Sequence, residues 1–148
     1  MNRNRFQRSN REDSAPSAKR RELLKEGIDQ ELSIDDMNLN RELMDQALYF
    51  RKYTKELSKV QRKAKSIKAE LERTEARLYV RLSNDGKGRK VKEIESMVML
   101  DESVSELREQ LLEAEELQTE YEGIVKAFYQ RHEMLKDLCA NARRDMVD

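Results

Sequence analysis

From Leu43 to Leu82 the apolar positions keep one period. Phe50, Leu57, Ala64, Leu71 and Leu78 recur every seven residues, and Tyr53, Val60, Ile67 and Thr74 fill the complementary slot. Steps that alternate between three and four are the heptad signature of helices that wind around each other. They predict a helix over about 40–82, roughly 60 Å long at 1.5 Å per residue. Ser83-Asn84-Asp85-Gly86-Lys87-Gly88 ends it, because its glycines and the Asn-Asp pair break helices.

A short helix is predicted over Lys90–Met99, with Val91, Ile94, Met97 and Val98 on one face. Asp101 then has the character of an N-cap, and Glu102 suits the positive end of the helix that follows. That helix, over about 102–146, again carries heptads. Val104, Leu111, Gln118, Val125, His132, Cys139 and Met146 form one slot, and Leu107, Ala114, Tyr121, Phe128, Leu135 and Ala142 the other. Leu117, Ile124 and Leu138 widen the stripe beyond what one neighbouring helix covers. Gly123 inside the pattern is expected to permit close packing or a slight kink.

Upstream, Lys19–Leu32 has the pattern of a short helix around Leu23, Leu24, Ile28 and Leu32, weakened by Gly27 by about 1 kcal/mol relative to Ala. Ser33-Ile34-Asp35-Asp36 interrupts it, and Asp36 or Asn38 offers an N-cap for the long helix. Residues 1–18 are polar and Arg-rich, with Phe6 as the one aromatic and Pro16 as the chain's one proline. They cannot bury enough apolar surface to offset chain entropy and are expected to be a disordered basic arm. Two long helices joined by a short connection fold back on each other. The expected fold is all-α: a long antiparallel, coiled-coil-like hairpin with a short N-terminal helix, residues 19–148 forming one helical domain.

Composition narrows the function classes. Charged residues are 41% of the 148, apolar residues 37%, and there is no Trp, which argues against a large globular core. The longest apolar run, Met97–Leu100, is far too short to span a bilayer. No apolar stretch follows Met1–Arg5, so no secretory signal is expected, and the single Cys139 fits a reducing cytoplasm. His132 and Cys139 are seven residues apart on one helix and lack further ligands for a metal; both read as seam positions. Gln118 and His132, polar within the seam, suit a register-setting role. Gly86-Lys87-Gly88 lacks the spacing and the preceding strand of a phosphate loop. No catalytic constellation is present, so an enzyme is not expected and no cofactor is implied.

The formal charge is zero, but it is distributed in blocks. Residues 1–21 carry seven basic and two acidic groups, 22–48 two and eight, 49–90 fourteen and five, and 91–148 seven and fifteen. The first long helix is therefore basic and the second acidic, and attraction across the seam is expected. Arg73, Arg77 and Arg81 on the first helix, with Lys87, Arg89 and Lys90 in and after the loop, are the candidate phosphate contacts. Tyr49, Tyr53 and Tyr79 lie among the cations, and aromatics interleaved with cations suit unstacked bases. The competing reading is that the basic stripe serves only to pair with the acidic helix.

The order of these features resembles the phage recombination mediators of the UvsY type. The likeness runs through Glu31-Leu32-Ser33-Ile34-Asp35, Ala47-Leu48-Tyr49-Phe50-Arg51-Lys52-Tyr53 and Glu75-Ala76-Arg77-Leu78 with Tyr79 and the Gly/basic loop after it. It continues in Lys126-Ala127-Phe128, Met134-Leu135-Lys136-Asp137 and Ala142-Arg143-Arg144-Asp145-Met146, so it covers roughly 22–148. The resemblance implies a non-enzymatic, all-helical, ring-like homo-oligomer that binds single-stranded DNA. It also implies remodelling of the single-strand-binding protein on that DNA and loading of a RecA-like recombinase. The family's DNA-contacting turn reads Lys-Ala-Arg-Leu; here Glu75 replaces the Lys, Arg77 carries over, and Arg73 or Arg81 is placed to supply the missing charge. The alternatives from the residues alone are a coiled-coil scaffold, such as a phage assembly protein, and an adaptor that binds another protein's helix.

Overall fold

The computed structural model describes residues 18–145. The arm expected over 1–18 lies outside them, apart from Ala18, as does Met146. The elements are α1 (Ala18–Leu32), a single 3-10 turn at Asp36–Asn38, α2 (Leu39–Ser83), α3 (Val91–Met99) and α4 (Glu102–Asp145). α2 and α4 lie antiparallel: Gln46 near the start of α2 meets Phe128 late in α4, and Glu75 near its end meets Arg108 early in α4. α2 matches its expected span to within a residue at each end, and α4 starts at the expected Glu102.

Local chemistry sets the breaks. Asp35 accepts from the Met37 backbone N–H at 3.0 Å and from Asn38 Nδ2 at 2.6 Å, which closes the 3-10 turn. Asn38 is the N-cap residue of α2, but its side chain is spent on Asp35 and does not cap the helix. α2 stops at Asn84, and the connection passes through Gly86 and Gly88 at φ 74° and 61°, a left-handed region that glycine enters at no steric cost. Asp101 caps α4 as expected, accepting from the Ser103 N–H at 3.0 Å and from its hydroxyl. The Ser103 hydroxyl, helped by the backbone N–H groups, holds the Asp101 carboxyl below the ordinary carboxylate value.

Apolar packing concentrates at the two ends of the hairpin. At the turn end Leu71, Leu78, Ile94, Val98 and Val104 form one buried cluster, flanked by Leu82, Leu107 and Leu111. α3 gives it only Ile94 and Val98. Val91 and Met97, expected on the same face, are exposed. At the other end Phe128 is fully buried, stacked on Tyr53 at 4.8 Å between centroids and tilted against Tyr49 at 5.7 Å. Tyr53 donates to Glu31 at 2.7 Å, and Lys52 pairs with the same carboxylate at 2.7 Å, which ties α1 to α2. Burial first, then that acceptor, pushes the Tyr53 hydroxyl well above its ordinary pKa.

Two seam expectations are corrected here. Phe50 is 39% exposed, although it shares a heptad slot with buried Ala64, Leu71 and Leu78. A straight helix of 3.6 residues per turn drifts about 20° per heptad against a strict seven-residue repeat. Four heptads upstream of Leu78 the inward face has therefore passed from the Phe50 slot to Gln46, Tyr49 and Tyr53. On α4 Arg131 joins Phe128 and Leu135 in the interior, while His132 and Cys139 are half-buried. Arg131 donates to Gln46 Oε1 at 2.7 Å, to the Ser33 carbonyl at 3.1 Å and to the Glu42 carboxylate. Gln46 Nε2 closes the set by donating to the Phe128 carbonyl at 2.6 Å. This buried network, rather than Gln118 and His132, fixes polar register at the base of the hairpin.

Candidate nucleic-acid interface

The cations of α2 do not face α4. Every α2 cation in an ion pair uses a carboxylate of α2 or α1: Arg41 with Asp45, Lys52 with Glu31, Lys59 with Glu56 and Arg73 with Glu70. Between α2 and α4 the pairs run the other way. Arg108 of α4 meets Glu75 of α2 at 2.7 Å, and Arg131 of α4 meets Glu42 of α2. Among the described residues, no Lys or Arg of α2 pairs with a carboxylate of α4. Attraction between a basic and an acidic helix is thus not what closes the seam. Seam positions on α2 are apolar, acidic or, at Gln46, neutral and polar, and the cations fill the positions left over, which point to solvent.

Of the six candidate phosphate contacts, Arg77, Arg81, Lys87 and Lys90 are exposed and without an ion pair among the described residues. The last turn of α2 and the glycine connection bring them to one end of the hairpin. Arg73 is exposed and pairs with Glu70 at 3.3 Å, an i,i+3 contact of the weak surface kind. Arg89 differs: its side chain is only 13% exposed, bound to Asp85 and 3.9 Å from Glu93. A strand would compete with those two carboxylates for it. The aromatic set also divides. Tyr49 and Tyr53 are packed against Phe128 and unavailable to a ligand, whereas Tyr79 is exposed. Further cations, Lys55, Arg62, Lys63, Lys65 and Lys68, are exposed along the middle of α2.

Apolar side chains are exposed at both ends of the hairpin: Val80, Val91, Met99 and Leu100 beside the cations at the turn end, and a second group at the base. Met44 and Leu48 are 74% and 64% exposed one turn apart near the start of α2, with Leu43 beside them. Leu112, Tyr129 and Met134 are exposed along α4, while Leu117, Ile124 and Leu138, expected to widen its stripe, are half-buried. Among the described residues no group of His, Cys, Asp and Glu is placed to hold a metal ion, and no helix is long and apolar enough to cross a membrane.

No family profile and no curated protein sequence matches the chain. Solved structures do. A crystal structure of the bacteriophage T4 recombination mediator protein UvsY (lattice type IV) superposes with a TM-score of 0.68 at 17% identity, covering 84% of this chain and 97% of the other. A second UvsY crystal structure (lattice type II) gives 0.67 at 20% identity, covering 86% and 97%. The long hairpin and the short helices at its ends thus share the fold of these UvsY crystal structures.

Proposed function

We propose that the chain is a recombination mediator. It acts without catalysis, as a homo-oligomer in the host cytoplasm. It binds single-stranded DNA and helps load a RecA-like recombinase onto strands coated by single-strand-binding protein. Residues 19–148 form the mediator and oligomerisation domain.

The observation that carries this reading is the orientation of the α2 cations. Had the basic block served only to hold the acidic helix, its charges would meet α4 across the seam. They face water instead, as an array of positive charge suited to phosphates, on the fold of UvsY. Exposed Met44, Leu48, Tyr129 and Met134 support self-association, because apolar side chains on so polar a surface gain from a partner. In this reading Arg77, Arg81, Lys87 and Lys90 contact phosphates directly, and Arg73 and Arg89 join them by exchanging carboxylate partners.

The test is a titration of labelled single-stranded DNA over a range of salt concentrations. Affinity should fall steeply with salt, and the combined change Arg77→Ala, Arg81→Ala and Lys87→Ala should flatten the slope by about 2, at roughly 0.7 per phosphate. Binding should weaken alike on all sequences, because phosphate contacts do not read bases. A wild-type protein with no affinity for single strands at low salt would overturn the mediator reading in favour of a coiled-coil scaffold.

A further inference from the structure

Phe50 is an aromatic side chain 39% exposed on a helix crowded with cations. It lines a shallow open hollow on α2 with its neighbours Arg51 and Lys55. Helical periodicity places more of the same chemistry in line with it. Lys68 follows Phe50 by 18 residues, about five full turns, and Tyr79 by 29, about eight turns, so all three share one flank of α2. Lys65 lies about 60° outward of that line and Arg62 about 120° outward, on the back of the helix away from α4. All three cations are exposed and none is in an ion pair among the described residues. Tyr79 is exposed to much the same degree as Phe50. Glu72 and Glu75 also lie on this flank; Glu75 is paired with Arg108 of α4, and the three cations leave the balance positive. Arg77 lies nine residues past Lys68, about two and a half turns, and therefore on the opposite flank from the ring–cation line.

We propose that this flank is a second contact surface for single-stranded nucleic acid. Phe50 and Tyr79 stack on unpaired bases, and Arg62, Lys65 and Lys68 hold the phosphates between them. The chemistry selects a single strand over a duplex, because a ring needs a base face that duplex stacking already occupies. The span from Phe50 to Tyr79 is about 43 Å at 1.5 Å per residue, long enough for several nucleotides. The surface rests on the mediator reading and adds to it a base-stacking track separate from the cations at the turn end.

Two variants test it against an oligothymidine, a strand of the same length lacking bases, and a duplex. Phe50→Ala with Tyr79→Ala should weaken oligothymidine binding at least about fivefold per ring, the low end of base–aromatic stacking. It should leave the base-free strand and the salt slope unchanged. Arg62→Ala with Lys65→Ala and Lys68→Ala should flatten the salt slope by about 2 on both strands. Duplex binding should be insensitive to the loss of the rings. Circular dichroism and sedimentation are run on every variant. If the wild type binds and the Arg77, Arg81, Lys87 variant weakens it while both flank variants bind normally, the flank surface is overturned and the mediator reading stands. Loss of the base-free strand in the ring variant, or a drop in its oligomer mass, makes the rings structural and also overturns it. A wild type that binds no single strand removes both readings together.

Discussion

A guanidinium taken out of water costs several kcal/mol unless its charge and hydrogen bonds are matched. At Arg131, 3% exposed, they are matched by Glu42, Gln46 and the Ser33 carbonyl, with the Tyr49 ring 5.8 Å away; only Nε lacks an acceptor among the described residues. The set draws on α2, α4 and the segment after α1, so it locks three pieces of chain in one geometry. Arg131→Ala should therefore destabilise the protein by about 3 kcal/mol or more, read by denaturant unfolding, since it strands Glu42 and Gln46. Arg131→Met combined with Glu42→Leu and Gln46→Leu should recover most of that loss, because an apolar replacement of matched volume removes the unpaired groups. If the triple variant is no more stable than the single one, the network contributes through something other than charge matching. Little of this was legible in the sequence. An Arg next to His132 at a heptad position reads as a solvated flank, and Glu42 and Gln46 one turn apart read as ordinary surface.

At the scale of the helix the sequence is far more explicit. Heptads, breakers and the Asp101 cap placed α2, α3 and α4 to within a residue or two, because each signal is local and each residue reports its own propensity. The phase of the seam was less legible, since a small drift per turn accumulates over a helix of 45 residues and carried Phe50 out of the core. Gly123 is a second departure. It is expected to permit close packing or a slight kink, yet a Cβ there would meet nothing within 4 Å, so no close approach requires the glycine. Gly123→Ala should consequently stabilise α4 by about 0.5–1 kcal/mol through helix propensity alone, seen as a higher melting temperature. A lower one would mean that another chain approaches α4 at this point.

The whole molecule is a thin hairpin that leaves many of its apolar side chains in water. Met44 and Leu48 near the start of α2, and Tyr129 and Met134 late in α4, are all exposed toward the same end of the antiparallel pair. A second copy is the occupant that the proposed function calls for. Sedimentation at micromolar concentration should give a mass several times 17.6 kDa. Met44→Glu with Leu48→Glu should shift it toward the monomer, because charge in an apolar contact is costly to bury. A monomeric wild type would remove self-association, and with it the multivalent hold on one long strand that the proposed function would draw from several subunits.

Helix period, caps and breakers act over a few residues, so the helical class of this chain, the bounds of its long helices and their return on one another are all readable from the sequence. It also carried the charge blocks. Their direction was decided only by the tertiary structure. Which positions turn inward depends on the rotation of one long helix against another, and that rotation is set by packing at both ends: Leu71, Leu78, Ile94, Val98 and Val104 at the turn, Tyr53 and Phe128 at the base. Once the seam took apolar groups and two Arg–Glu pairs of reversed polarity, the cations of α2 were left facing solvent. That is the arrangement from which phosphate binding is argued, and a count of charges along the chain cannot distinguish it from a basic helix neutralised by its partner.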